Sequence, residues 1–77
     1  MDYIVWKNKA LKAIEKVETN KKFELRDLFN GSEWNTLTIG DRINFGKYFA
    51  NEVREGNIPN IAAIERGANN HSKYIKN

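Results

Sequence analysis

The residue types best suited to chemistry in this 77-residue chain lie between positions 38 and 55, at helical spacing. In a helix, residues three or four apart share one face. Lysine and arginine can pair with phosphate or guanine, asparagine with the adenine edge, and tyrosine with a phosphate or a thymine methyl group. A helical wheel places these types on one polar face, which comprises Asn44, Lys47, Tyr48, Asn51 and Arg54. This face is a candidate nucleic-acid-binding surface.

Acidic residues on the same segment weaken that interpretation. Asp41, Glu52 and Glu55 offset the positive charge of the helix. Exposed helix faces are also polar in proteins that bind no nucleic acid. The sequence therefore leaves two partners open, which are double-stranded DNA and a host protein bound by the same polar face.

A second polar cluster lies near the C-terminus. The segments "IAAIER" and "SKYIKN" flank the turn formers "GANNH", which predicts a β-hairpin with a loop near residues 67–71. Arg66, His71 and Lys73 then lie at or near the tip of the hairpin, where they can hold backbone phosphates. A solvated turn has the same composition, so this alternative also stays open.

Catalytic and metal chemistry have little support. The chain has one histidine, His71, and no cysteine, so it offers no Cys/His metal cluster. It contains no Gly-x-Gly-x-x-Gly or P-loop motif, and its surroundings single out no pair of carboxylates. We expect a non-enzymatic protein with no catalytic residue, no metal site and no cofactor.

Length and composition limit the remaining possibilities. The chain is short enough for a single domain, residues 1–77, and its net charge of +3 permits nucleic-acid binding without requiring it. No apolar run approaches the roughly 18 residues of a membrane span. The N-terminal "MDYIVWKNKA" becomes charged too early for a signal peptide. The expectation is a cytoplasmic protein with no membrane partner.

The polar face requires a helix, and the segment around it carries start and stop signals. Thr38 and Asp41 form a variant of the capping box, and Gly56 suits the left-handed residue that ends a helix. The predicted helix spans residues 39–55. We expect Gly46 to mark a close approach by another backbone, because a mid-helix glycine costs about 1 kcal/mol relative to alanine. The predicted core face comprises Ile39, Ile43, Gly46, Phe49, Ala50 and Val53.

The other elements follow from local patterns. Apolar residues at helical spacing predict a helix over residues 2–18, and alternation predicts a short strand over 22–25. Gly31 can end a single helical turn, and Trp34 and Leu37 are expected in the core. Arg42 is expected to cover the core with its stem and to pair with a carboxylate such as Asp27 or Glu24.

The order helix, strand, helix, helix, hairpin predicts an α+β domain of the winged helix-turn-helix type. It would contain three helices, a C-terminal β-hairpin and a short third strand. Recognition would fall to the helix over residues 39–55, and the wing would span residues 61–76.

The stretch "FELRDLFNGSEWNTLTIGDRINFGKYFANEV" and the terminal "HSKYIKN" resemble a family of small proteins from Gram-positive bacteria and their phages. This family is catalogued as domain of unknown function 1413. The motifs that carry the resemblance are "ELRDLF", Trp34, "GDR", the pair Gly46 and Phe49, and "KYIK". The resemblance covers residues 22–76 and leaves out the first helix. It implies a small bacterial or phage protein and assigns no functional residue.

Overall fold

In residues 1–64 and 73–77, three α-helices and a three-stranded antiparallel sheet form an α+β domain, in the order that the sequence predicts. The structure is a computed structural model, and it describes residues 1–64 and 73–77. The elements are α1 (Tyr3–Glu15), β1 (Lys22–Glu24), a 3-10 turn (Leu25–Leu28), α2 (Gly31–Trp34), α3 (Ile39–Arg54), β2 (Ile61–Ile64) and β3 (Lys73–Lys76).

A side-chain cap begins α1, and a left-handed residue follows its end. The backbone N–H groups of Ile4 and Val5 donate to the Asp2 carboxylate at 3.0 and 3.2 Å, which satisfies two groups that a helix start leaves unpaired. The helix ends at Glu15, earlier than the predicted residue 18. Asn20, the predicted stop, takes a left-handed conformation with φ of 70°. The chain can then turn from α1 into β1.

The sheet has the strand order β1-β3-β2, so the short first strand joins the hairpin as predicted. Phe23 of β1 lies opposite Tyr74 of β3, which in turn lies opposite Ala63 of β2. Tyr74 is almost fully buried, and its ring meets Phe49 of α3 edge-on at 5.2 Å. This row of cross-strand neighbours therefore packs the sheet against α3.

Aromatic rings connect α3 with α1 and with the segment between β1 and α2. Phe45 and Phe49 are completely buried. The Phe45 ring lies 6.2 Å from Trp6 of α1 and 6.1 Å from Phe29. Leu37 is buried as expected, whereas Trp34 is half-buried and stacks on Phe29 at 5.6 Å. A domain this small depends on such large side chains for its core.

The stop signal of α3 is confirmed, and the Thr38 half of the predicted capping box is present. The Asp41 backbone N–H donates to the Thr38 hydroxyl at 3.0 Å, and Gly56 has φ of 79° just after the helix end. The predicted core face is partly wrong, because Ile39 and Ile43 are 73% and 53% exposed. The helix instead buries a stripe at i, i+4 and i+8, because the aromatic rings gain more from burial than the two isoleucines. That stripe consists of Phe45, Phe49 and Val53.

Three further predictions need correction. A β-carbon added at Gly46 would meet no atom within 4 Å outside the neighbouring helix backbone, so no second backbone approaches this glycine in the part of the chain that the structure describes. Gly31 begins α2 instead of ending the preceding turn. The Arg42 guanidinium lies 6.0 Å from the Trp34 ring centre, and its buried Nε has no hydrogen-bond partner among the described residues. Glu24, an expected partner of Arg42, pairs with Arg26 instead, at 3.7 Å.

Candidate nucleic-acid interface

Four of the five residues predicted for the polar face of α3 are exposed. Asn44, Lys47, Asn51 and Arg54 all lie on the side of the helix that faces away from the buried stripe. At about 1.5 Å per residue, the four side chains span about 15 Å along the helix axis. Within residues 1–64 and 73–77, neither Lys47 nor Arg54 forms an ion pair. Their charges are available to a ligand.

Tyr48, the fifth predicted residue, belongs to the contact between α3 and α1. Its ring stacks on Tyr3 at 5.0 Å and on Phe45 at 6.1 Å, and the side chain is half-buried. Burial raises the pKa of the Tyr48 hydroxyl, and a hydrogen bond to Glu52 raises it further. Tyr48 therefore supports one edge of the polar face.

Glu52 is turned toward α1 and is paired there. Its carboxylate accepts a hydrogen bond from the Lys7 ammonium at 2.9 Å and another from the Asn57 side-chain amide at 2.6 Å. Hydrogen bonds from Asn57, and next from Lys7, hold the pKa of Glu52 below its usual value. The same hydrogen bond to Glu52 raises the pKa of Lys7. The Glu52 side chain is only 15% exposed. This carboxylate therefore adds little negative charge to the polar face.

The two other acidic residues lie at the ends of α3. Asp41 is half-buried in the first turn, where a negative charge suits the positive end of the helix dipole. Glu55 is exposed at the C-terminal cap, next to Arg54. Counting Lys47 and Arg54 as positive and Glu55 as negative, +2 − 1 leaves the exposed face with one positive charge.

Two isoleucines that the sequence pattern placed in the core belong to this exposed side. Ile39 and Ile43 lie one turn apart on α3, and Lys47 lies one turn further along the helix. Exposed aliphatic side chains on a helix can contact thymine methyl groups or an apolar patch of a protein. Periodicity alone could not find them, because the competition between Ile43 and Phe45 for the core depends on the packing of α1.

The structure describes only part of the predicted hairpin cluster. Lys73 begins β3 and is half-buried. Arg66 and His71 lie outside the described residues. Lys76 is already engaged, because its ammonium donates to the carbonyl oxygens of Ile14 and Val17 at 2.8 and 2.9 Å, at the end of α1.

Neither a metal cluster nor a membrane-crossing helix occurs in the described ranges. Across residues 1–64 and 73–77, no group of three or more His, Cys, Asp or Glu side chains is placed to hold a metal ion. The helices of the same ranges are too short or too polar to cross a bilayer.

The described part of the chain defines the class as a small α+β domain with three α-helices, a three-stranded antiparallel sheet and a polar, exposed helix face. A family model described as Domain of unknown function (DUF1413) matches residues 8–76, and the chain belongs to this family. The match begins inside α1, so the family resemblance extends beyond the predicted residues 22–76 into the first helix. A search of curated proteins and a search of solved structures each found no match.

Proposed function

We propose that this protein binds double-stranded DNA without catalysing a reaction, as a winged-helix regulator encoded by a bacterium or a mobile element. The recognition helix in this proposal is α3, and the β2–β3 hairpin is the wing. The strand order β1-β3-β2 and the succession of elements are compatible with that class of fold.

The observation that supports the proposal best is the separation of charge on α3. Its one central carboxylate, Glu52, points toward Lys7 of α1, while Lys47 and Arg54 point outward. An approaching phosphate therefore meets the two cations before it meets Glu52. Since phosphate contacts supply most of non-specific DNA affinity, this arrangement favours a nucleic acid.

The types of residue on the exposed side suit a major groove. A recognition helix contacts base edges mainly with its N-terminal half, which here carries Ile39, Ile43 and Asn44. Asparagine can form two hydrogen bonds with adenine, and isoleucine can contact the thymine methyl group. Lys47, Arg54 and Lys73, together with Arg66 and His71, would contact phosphates. Asn51 would reach a base edge or the backbone beside them.

The proposal is tested by measuring affinity for a duplex as the salt concentration increases. The four phosphate contacts proposed for lysine and arginine side chains give a log–log slope of about −3.6, at about −0.9 for each contact. Lys47→Glu should weaken duplex binding far more than Lys12→Glu, which is a matched charge reversal on the exposed side of α1. Lys47→Glu should also make the slope of the salt dependence shallower by about one. Absence of duplex binding at low salt, or equal effects of both variants, would overturn the proposal.

The exposed isoleucines favour a second candidate, a protein-interaction module that uses the same helix face. A host protein would then cover Ile39 and Ile43, because apolar side chains exposed by 73% and 53% are common at interfaces. A stoichiometric partner retained from nuclease-treated host lysate, and lost with Ile43→Glu, would favour this candidate. Retention of that partner by Ile43→Glu would exclude the isoleucine face as the interface.

A further inference from the structure

A groove of about 450 Å³ runs between the C-terminal half of α3 and strand β2. Ala50, Val53 and Arg54 form one side, and Tyr74 with all four residues of β2 forms the other. Its volume falls within the range of about 300 to 1,000 Å³ that is common for ligand-binding clefts. The groove is aliphatic except for Arg54 and the Tyr74 ring.

Strand β2 lies at the edge of the sheet, so half of its backbone groups point away from β3. The Asn77 backbone N–H donates to the Asn60 carbonyl at 2.8 Å, which makes this opposed pair a hydrogen-bonded one. Hydrogen-bonded and non-hydrogen-bonded pairs alternate along an antiparallel ladder. The N–H and C=O groups of Ile61 and Ala63 therefore point to the outer edge, where no strand pairs with them in residues 1–64 and 73–77.

Strand β2 is short, but within its four residues it lacks charge, proline and a bulge, three of the features that usually prevent strand addition. Proteins protect exposed edges with charged side chains, proline or bulges. The sequence of β2 is Ile-Ala-Ala-Ile, with neither charge nor proline, and its ladder to β3 has four consecutive pairs. Ala63 is exposed at the mouth of the groove, where its small side chain leaves room for a neighbour.

Arg54 gives the groove its charge preference. It is exposed on the wall formed by α3 and has no ion-pair partner in the part of the chain that the structure describes. Arginine binds carboxylates with two parallel hydrogen bonds, so an acidic side chain or a C-terminal carboxylate is its natural complement.

We propose that this groove binds an extended acidic peptide segment of another protein, which adds to β2 as a fourth strand. Backbone hydrogen bonds with Ile61 and Ala63 would supply affinity, as in other cases of strand addition. Because side chains alternate along a strand, every second residue of the peptide enters the groove. One of these is a small aliphatic side chain over Ala50 and Val53, and a carboxylate nearby reaches Arg54. This interaction does not depend on DNA binding.

Charge favours such a peptide over a second copy of the chain. Antiparallel pairing of two β2 strands would bring two copies of Arg54 toward one continuous sheet. Since β2 contributes no carboxylate, neither guanidinium would gain a partner from that strand. An acidic peptide pairs the same guanidinium directly.

The test is selection of binders from a displayed library of random octapeptides on the immobilised 77-residue chain, without DNA. We expect the selected peptides to share an acidic residue close to a small aliphatic one. A synthetic peptide of the selected sequence, titrated into isotopically labelled protein, should shift the amide signals of Ile61 and Ala63. Its affinity should fall about tenfold or more with Arg54→Glu and change little with Lys47→Glu, which lies outside the groove.

Two further variants test strand pairing itself. Ala63→Pro removes an outward N–H donor and should abolish binding while the fold persists, since edge strands tolerate proline at such positions. Methylation of alternate backbone nitrogens in the peptide leaves the protein unaltered. Methylation of the peptide nitrogens that face β2 should abolish binding, and methylation of the nitrogens between them should have little effect.

Three outcomes would overturn the proposal. They are failure to select any peptide, equal binding by peptides methylated in either set, and dimers of the chain that compete with the peptide for β2. Loss of duplex binding in Lys47→Glu with unchanged peptide binding would show that the two proposals stand separately.

Discussion

The direction of one carboxylate sets the electrostatic character of α3. Glu52 accepts hydrogen bonds from Lys7 and Asn57, and its side chain is 15% exposed. The same carboxylate helps to raise the pKa of the Tyr48 hydroxyl, after burial, and the Tyr48 ring stacks on Tyr3. The pairing of α1 with α3 therefore removes one negative charge from the exposed face and leaves the cations there.

The unfolding free energy should depend on pH through the Glu52 carboxylate. Its pKa is lower in the folded protein than the unfolded value of 4.5, so its contribution is complete above that pH and is lost as pH falls through the folded pKa. Urea unfolding measured between about pH 3 and pH 6 should show a steeper loss of unfolding free energy in the wild type than in Glu52→Gln. The same pH dependence in both proteins would contradict this assignment. Glu18→Gln, on the exposed segment after α1, is the control.

Gly46 should be replaceable by alanine with a gain in stability. An added β-carbon meets no atom within 4 Å outside the helix's own nearby backbone, so the lower backbone entropy of unfolded alanine should raise the unfolding free energy by about 0.5 to 1 kcal/mol. Gly56→Ala is the contrasting variant, because φ of 79° strains any side chain. Urea denaturation measures both changes. A destabilised Gly46→Ala would reveal a close neighbour.

At the scale of elements, Lys76 joins the last strand to the first helix. Its ammonium donates to the carbonyl oxygens of Ile14, Val17 and, at 3.4 Å, Glu15. These oxygens lie at the negative end of the dipole of α1, where helix termination leaves carbonyl groups unpaired. One lysine thus fixes the end of α1 against β3.

Lys76→Met should lower the unfolding free energy by about 1 to 2 kcal/mol, since it removes two charge-assisted hydrogen bonds and takes away the donor of the half-buried Val17 carbonyl. Lys73→Met on the same strand is the matched control, because no ion pair or hydrogen bond holds the Lys73 side chain in residues 1–64 and 73–77. Thermal and urea unfolding of both variants provide the comparison. Equal losses of unfolding free energy in the two variants would mean that packing of the lysine stem stabilises this end of the sheet, and that the hydrogen bonds from the Lys76 ammonium do not.

At the scale of the whole molecule, Phe45 holds three regions together. It is fully buried, and its ring contacts α1 through Tyr3 and Trp6 and the segment before α2 through Phe29. A domain of this size has a total stability of only about 4 to 12 kcal/mol. One ring at such a junction can therefore decide whether the chain folds.

Phe45→Ala should lower the unfolding free energy by about 3 to 5 kcal/mol, because it leaves a cavity between helices that cannot close fully. Ile43→Ala, two residues away and 53% exposed, should change it by less than about 0.5 kcal/mol. Circular dichroism during urea unfolding measures both. A small loss for Phe45→Ala, or a large one for Ile43→Ala, would contradict the orientation of α3.

Local signals in the sequence predicted most of the elements because the forces that form them act over a few residues. Thr38 and Asp41 start α3 through a hydrogen bond of 3.0 Å, and Gly56 ends it with a positive φ. The turn formers after β2 predicted the hairpin, and the short apolar alternation around Phe23 predicted its third strand. The exposed positions of Asn44 and Lys47 followed from helical periodicity in the same way.

The tertiary structure alone decided how α3 is rotated and which charges remain outside. Ile39 and Phe45 are both apolar, so a wheel cannot rank them, and the rings of α1 together with Phe29 select Phe45 for the core. Likewise, the sequence suggests that Glu52 lowers the positive charge of the helix face. In the structure Lys7, 45 positions earlier, pairs with this carboxylate at 2.9 Å. Both outcomes depend on contacts between residues distant in the chain, which local periodicity and capping patterns do not encode.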